Sequence, residues 1–418
     1  MNTKISRSLF CALDIGTTKI VALIAKKNMH EGVEIIGVGH HPSHGLKKGI
    51  IVNIAETVES IKAAVKDAES MAGVKMESAF VGISGGHINS INSTGVVAIK
   101  SREVSQYDID RVVDAAKAVP LPKDHYILHI LPQYFRVDGQ EFVLDSLGMY
   151  GIRLEAQVHI VTGAVSSAQN IIKACELAGI AVSDIVLEPI ASAASVLTAA
   201  EQEMGAGLVD IGGGTSDFAI YKDSRIRHSK VVPIAGNHFT NDIALGFKVP
   251  FVQAEELKKK YGSALKYKMN DLKDAYLDVP LGYDGGVKTI NLMSVVEIVH
   301  FRAEEIFEIF KEEINNQRLR PLMPCGLVVT GGGALLDGVG DLASEILEMP
   351  VRIGYPQTSE TYSSLVLPDF LKSPMYATAC GLLLRAAGEG SFGEFSTAGQ
   401  NVFSRVLKRM KSWVYDLF

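Results

Sequence analysis

The chain has 418 residues, with 41 Lys and Arg against 47 Asp and Glu, a net charge of −6, and 47% hydrophobic residues. That length supports two or more domains, the charge excludes a general nucleic-acid binder because no basic stripe runs along the body, and no apolar run is long enough to span a membrane. The four cysteines, Cys11, Cys175, Cys325 and Cys380, stand far apart in apolar contexts, which reads as buried reduced thiols of a cytosolic protein.

The segment "SLFCAL" is too short for the hydrophobic region of a signal peptide. It reads as an apolar strand at 9–13 that runs into "DIGTTKI": Asp14, then Gly16, Thr17, Thr18 and Lys19, then a second strand at 20–25. A third strand follows at 33–40. Beyond it "GHHPSHGLKKG" brings His40, His41 and His44 together, but their spacing fits a metal site poorly and no cysteine or carboxylate accompanies them. Helical periodicity over 53–72 places Ile54, Val58, Ile61, Val65, Ala68 and Met71 on one face, ahead of a strand at 78–83.

Residues 85–160 then intervene. They contain a polar helix start in "SREVSQYDIDRVVDAAKAV" and strands around 126–132 and 158–161, enough for a small α/β subdomain. The helix "SSAQNIIKACELAGI" leads into "VSDIVLEPIASAASVL", which sets Glu188-Pro189 at a strand end before a helix of small residues. Such a helix can approach a neighbour closely and suits a place between two domains. Glu188 reads either as a helix-start carboxylate favoured by the macrodipole or as a group that orients water.

At 209–221 the sequence is "VDIGGGTSDFAIY", and Asp210-Ile211-Gly212 repeats Asp14-Ile15-Gly16 word for word. Gly212, Gly213 and Gly214 strip the turn of side chains, so inward N–H groups can form a concavity for an anion, and Thr215 and Ser216 add donors. A strand-end carboxylate repels phosphate but can hold a hydrated Mg²⁺ that touches it. Strands at 218–221 and 231–234 follow, then an insert at 254–287 whose "EELKKKYG" reads as a solvated face or a docking helix. A long helix at 293–319 carries Val296, Val299, Ile306 and Phe310; after it come a strand at 327–330 and a third glycine cluster, "VVTGGGALL". A Walker A loop is absent, and each turn leads to a strand instead of the helix that a dinucleotide fingerprint requires. Three antiparallel strands, a helix and a parallel strand, occurring twice, imply two related α/β domains that face a shared cleft.

The last segment, "NVFSRVLKRMKSWVYDLF", follows a Gly/Ser-rich linker. Phe403, Val406, Leu407, Met410, Trp413, Val414 and Leu417 fall on one helical stripe, with Arg405, Lys408, Arg409 and Lys411 around the other side. The pattern is that of a helix lying flat on an anionic membrane.

The paired Asp-Gly hairpins, the strand-end Glu-Pro and the late Gly-Gly-Gly resemble the superfamily of actin, sugar kinases and heat-shock chaperone ATPases. Within it, nearly the whole chain resembles the FtsA family of actin-related bacterial cell-division proteins. That likeness is carried by "GVGHHPSHGLKKG", by an insert opening with "SGGHINS" and closing with "GIRLEAQVHIVTG", by "VVPIAGNHFTNDIA" and by the amphipathic tail. The insert falls where that family carries its distinctive subdomain, whereas actins and chaperones carry theirs elsewhere.

The resemblance implies an α/β fold of two actin-like, ribonuclease H-type domains around a nucleotide cleft. The first would span 7–84, continued at 162–203 and 361–387; the insert 85–161; the second domain 204–360, with a small insert at 237–290; the linker 388–400; and the amphipathic helix 401–418. It further implies ATP and Mg²⁺ as cofactors. Gly16, Thr17, Thr18 and Lys19 would form one phosphate turn, and Gly212, Gly213, Gly214 and Thr215 the other. Asp14 and Asp210 would hold Mg²⁺ through water. Gly331, Gly332, Gly333 and Ala334 would pass under the adenosine, with Gly236, Asn237 and His238 near the ribose and Arg302 and Glu305 along the base. Glu188 matches the chaperones' water-orienting glutamate, so slow hydrolysis is chemically possible. The implied role is an ATP-controlled, polymerising tether of the division ring on the cytoplasmic face of the membrane. Its partners would be the C-terminal peptide of the tubulin-like FtsZ, further copies of itself, anionic lipid and later division proteins, with no nucleic acid. A small-molecule kinase on this fold would need a second pocket and a base for a substrate hydroxyl. A chaperone ATPase would need a β-rich substrate domain after Leu384, and a rod-shape actin of the MreB type would lack both insert and tail.

Overall fold

In a computed structural model, which describes residues 9–27, 32–281, 286–357 and 367–388, the aspartate turns join antiparallel strands of two separate sheets. The helix expected at 401–418 lies outside the described residues. In the first sheet β1 (Leu9–Ile15) pairs with β2 (Lys19–Lys27), and β2 with β3 (Val33–Pro42). A short hairpin, β4 (Leu46–Lys47) and β5 (Ile50–Ile51), precedes α1 (Ile54–Ala72). The α1 helix starts where the Asn53 side chain accepts from Glu56 N and ends at Gly73, whose φ of 68° only glycine takes readily. Val58, Ile61, Val65 and Ala68 are buried as the periodicity requires, but Met71 is 56% exposed. The reason lies in the seam: Ala64, Ala68 and Ala72 sit directly on Gly39 and Gly37 of β3, and Met71 is one residue off that line.

After β6 (Ser78–Ile83), parallel to β1, the chain leaves for the inserted subdomain: β7 (Asn89–Ala98), α2 (Gln106–Ala116), β8 (His125–Val137), β9 (Gln140–Val143) and β10 (Arg153–Ala164). Its sheet order is β7-β10-β8-β9, and Ile109, Val112, Phe135, Leu154 and Val158 fill its core. The strands expected at 126–132 and 158–161 are thus only the most apolar parts of β8 and β10. The mostly polar β7 gave no apolar run to read.

The chain returns through α3 (Val165–Leu177) to β11 (Ala181–Leu187), which completes the order β11-β6-β1-β2-β3, and continues as α4 (Glu188–Val196) and α5 (Ala199–Met204). The second sheet repeats the plan with β12 (Ala206–Ile211), β13 (Ser216–Lys222) and β14 (Arg225–Val232). Its third strand therefore begins earlier than the expected 231–234, because Arg225, Arg227 and His228 mask the apolar signal. Next come α6 (Gly236–Phe247), α7 (Phe251–Tyr261), the hairpin β15 (Tyr276–Pro280) and β16 (Val287–Asn291), and α8 (Leu292–Asn316). The strands β17 (Leu327–Thr330) and β18 (Val351–Ile353), separated by α9 (Val339–Leu347), complete the order β14-β13-β12-β17-β18, the counterpart of the first sheet.

Finally α10 (Ala377–Ala386) crosses back onto β1 and α4. The two helices meet so closely that a Cβ on Gly381 would lie 1.7 Å from Ala191 O. The small residues of α4 thus permit the close helix contact expected of them.

The insert also reaches the second sheet. Side chains of β7 and β8 bond the carbonyls of edge strand β14: Ser90 Oγ to Ser229 O at 2.6 Å, Asn92 Nδ2 to Arg227 O at 3.2 Å, and Gln133 Nε2 to Ile226 O at 3.1 Å. An otherwise open sheet edge is covered in this way.

Candidate functional site

The two turns share one construction. Gly16 N bonds Lys19 O at 3.0 Å and Gly212 N bonds Thr215 O at 2.9 Å. They face each other at a distance only glycine allows: a Cβ on Gly213 would lie 2.3 Å from Thr18 Cγ2, and one on Gly214 2.4 Å from Thr17 Oγ1. Between and below them is a cleft lined by Asp14, Gly16, Thr17, Thr18, Lys19, Glu188, Asp210, Gly212, Gly213, Gly214, Thr215, Gly331 and Gly332, all singled out in the sequence. Ile15, Gly49, Asp217, Met375 and Thr378 complete the lining.

The floor is acidic. Asp14 and Asp210 are 3% and 6% exposed, and Lys19 Nζ stands 3.7 Å from Asp14 Oδ2. Asp210 Oδ2 accepts from Ser192 Oγ at 2.5 Å and from Thr378 Oγ1 at 3.1 Å. Asp217 accepts from Ser84 Oγ at 2.5 Å and from Thr215 Oγ1 at 3.1 Å. Burial raises the Asp14 pKa, and Lys19 opposes the rise. Burial likewise raises Asp210 against its bond from Ser192, and it carries Asp217 up to about 7. Glu188 is raised well above the carboxylate range by burial and then by repulsion from Asp217, Asp14 and Asp210. Four carboxylates around one lysine make a site that gains from a bound cation. No three His, Cys, Asp or Glu side chains among the described residues are placed to hold a metal directly.

The remaining expected residues divide between the rim of this floor and positions outside it. Gly331, at φ 83°, lies against Asp210, where a Cβ would come within 2.2 Å of Oδ1, and Gly333 lies on Ile211 with Ala334 buried beside it. Gly236 N and Asn237 N bond Gly212 O and Gly213 O at 3.0 and 2.8 Å, which fixes the start of α6 on the second turn. Gly236, Asn237, Gly333, Ala334, Arg302 and Glu305 do not line this part of the cleft. Arg302 Nε donates to Asp242 Oδ2 at 2.6 Å and its other arm pairs with Glu305. His40 Nδ1 is 2.8 Å from Tyr376 Oη. Cys11, Cys175 and Cys380 are buried, whereas Cys325 is only half-buried.

Two duplicated domains around such a cleft, the first interrupted by an α/β insert, define an actin-like protein. Among solved structures the chain is similar to the PilM-PilN type IV pilus biogenesis complex, at TM-score 0.67 and 17% identity over 90% of this chain and 98% of that one. It is also similar to MreB5 of Spiroplasma citri bound to ADP, at TM-score 0.53 and 16% identity over 90% and 94%. The family model "Cell division protein FtsA" matches residues 207–381, and "SHS2 domain inserted in FTSA" matches residues 85–162. Cell division protein FtsA of Pseudomonas aeruginosa is 45% identical over 99% of both chains, and that of Escherichia coli K12 is 35% identical over 99% of both. The chain belongs to the FtsA family of cell division proteins.

Proposed function

We propose that the protein binds Mg-ATP between the two glycine turns and uses it to set the polymer state of a membrane tether for the division ring. The observation that carries this reading is the convergence of Asp14, Asp210, Asp217 and Glu188 on a cleft walled by two glycine-containing turns. Thr17, Gly213 and Gly214 would offer backbone amides to phosphate. A bound Mg²⁺ would neutralise phosphate charge against the acidic floor, with Asp14 and Asp210 holding it through water. The ADP-bound MreB5 neighbour supports a nucleotide as the ligand. In this reading the tail at 401–418 holds the protein to anionic lipid on the cytoplasmic face, the insert contributes to self-association, and the C-terminal peptide of FtsZ and later division proteins are its partners. The kinase and chaperone readings have no comparable support within this family.

The test is a titration of labelled ATP, with Mg²⁺, against wild-type and Asp210→Ala protein. The variant should bind about 10–100-fold more weakly, as loss of a metal-supporting group does elsewhere. Unchanged affinity would refute the site.

A further inference from the structure

We propose that Lys48, at the tip of the β4–β5 hairpin, binds the terminal phosphate of the nucleotide and so separates ATP from ADP; this rests on the nucleotide reading above. The two central residues of the hairpin both take positive φ, Lys48 at 51° and Gly49 at 77°. A turn of that kind favours Asn-Gly or Gly-Gly, and a lysine is strained in the left-handed region. Such strain gathers where a side chain has a task.

The tip occupies a junction of three elements. Gly49 N donates to Thr17 Oγ1 at 3.0 Å, which ties it to the first phosphate turn. Lys48 Cα lies against the second, where a Cβ on Gly214 would come within 2.9 Å of it. Ser84 O, at the root of the insert, lies 3.0 Å from where a Cβ on Gly49 would stand.

Charge points the same way. Lys19 faces Asp14 at 3.7 Å, Lys258 faces Glu255 at 2.7 Å, and Arg302 faces Asp242 at 2.6 Å. Lys48 is exposed and forms no ion pair among the described residues. Burial first, and then the charges of Lys48 and Arg302, hold His238 below the usual histidine range, so the Lys48 charge is felt across the cleft mouth at the start of α6. A triphosphate brings more negative charge than Lys19 and one divalent cation offset. Among the described residues Lys48 is an uncommitted cation, and its backbone lies against the second turn while its neighbour Gly49 is bonded to the first.

The experiment measures Mg-ATP and Mg-ADP affinity of full-length wild-type, Lys48→Asn and Lys48→Arg protein. Asn accepts the left-handed turn, so the hairpin is kept while the cation is lost. ATP affinity of Lys48→Asn should fall about tenfold or more, as for a lost charged hydrogen bond, with ADP affinity near wild type. Lys48→Arg should keep the preference for ATP. An equal change for both nucleotides, or no change, overturns the inference and leaves the cleft reading in place. Failure of wild type to bind either nucleotide overturns both.

Discussion

His159 and Ser229 meet with Nε2 2.8 Å from Oγ, although one belongs to the inserted subdomain and the other to the edge of the second sheet. His159 Nδ1 lies 2.7 Å from Asn92 Oδ1, an acceptor, so the ring proton sits on Nδ1 and the Ser229 hydroxyl donates to Nε2. Asn92 in turn donates its amide to Arg227 O. This buried chain joins the insert to the second domain, and burial favours a neutral imidazole in it.

A pH dependence follows. Burial, then the nearby His228 charge, lowers the His159 pKa to about 3. The unfolded chain takes up that proton near pH 6.5. The stability tied to the neutral ring is therefore fully present above about pH 6.5 and is lost as pH falls toward 3, by about 1.4 kcal/mol per unit. His159→Gln removes this dependence and keeps polar groups at the junction. Denaturant midpoints of wild type and variant should converge between pH 7.5 and 5, and a constant gap would contradict the assignment. Histidines other than His228, whose charge acts on His159, are common to both proteins and cancel.

The contact between α4 and α10 gives a second expectation. Gly381→Ala would gain about 1 kcal/mol of helix propensity, yet its Cβ would stand 1.7 Å from Ala191 O. The helices must part, at a cost of about 1–3 kcal/mol or more. Because α10 also carries Thr378, which bonds Asp210, urea stability and ATP affinity should both decline. A variant as stable as wild type would show that the two helices do not meet this closely.

The sequence disclosed the site where its chemistry is repeated in adjacent residues. Asp14-Ile15-Gly16 and Asp210-Ile211-Gly212 could be matched by eye, and the structure gives both turns the same glycine-amide bond. Helices α1 and α8 were legible because a buried face imposes its period. Ser84 and Thr378 were not, since each is an ordinary hydroxyl whose partner, Asp217 or Asp210, lies 133 or 168 residues away. Strand β7 was hidden because Asn, Ser and Thr break up its few apolar residues, and β14 because charged residues interrupt its apolar ones. Met71 shows the limit of periodicity, which gives a helix face but not the line along which glycines in a neighbouring strand will seat it.

Turnover should be slow. The lining of the cleft among the described residues includes no arginine, and an arginine finger is worth about 10³–10⁵ in rate. Phosphate release by the purified protein, followed over hours, should show well under about one turnover per second, a usual lower bound for kinases. Several turnovers per second without a partner would favour a kinase-like or chaperone-like cycle.

Self-association is expected to use the outer face of the insert, where Tyr150 and Ile152 are 78% and 66% exposed. Deleting 85–160 is a poor test, because it strips β14 of the side chains that cover its carbonyls and leaves an open edge. Tyr150→Asp with Ile152→Asp keeps that contact. On lipid with ATP, the double variant should form shorter or fewer filaments by electron microscopy while binding ATP normally. Filaments of wild-type length would remove the insert from the protomer contact.

The tail at 401–418 should anchor the protein. Its apolar stripe includes Phe403, Leu407, Met410, Trp413 and Leu417, and its four cations face the single Asp416, on a protein of net charge −6. Each cation near an anionic leaflet is worth about 1 kcal/mol, and Trp413 suits the headgroup boundary. A Gly/Ser-rich linker of the length of "GEGSFGEFSTAGQ" would, as a random coil, span roughly 20 Å, enough for a tail helix to leave the body. One such helix binds reversibly, so a filament that presents many tails would bind far more tightly than a monomer. Cleft and lipid would then be coupled through assembly. Trp413→Glu puts a charge into the stripe. Wild type and variant are spun with anionic vesicles and ATP, and lipid-free pellets are subtracted. The variant should stay largely in the supernatant, and equal pelleting would mean that the anchor lies elsewhere.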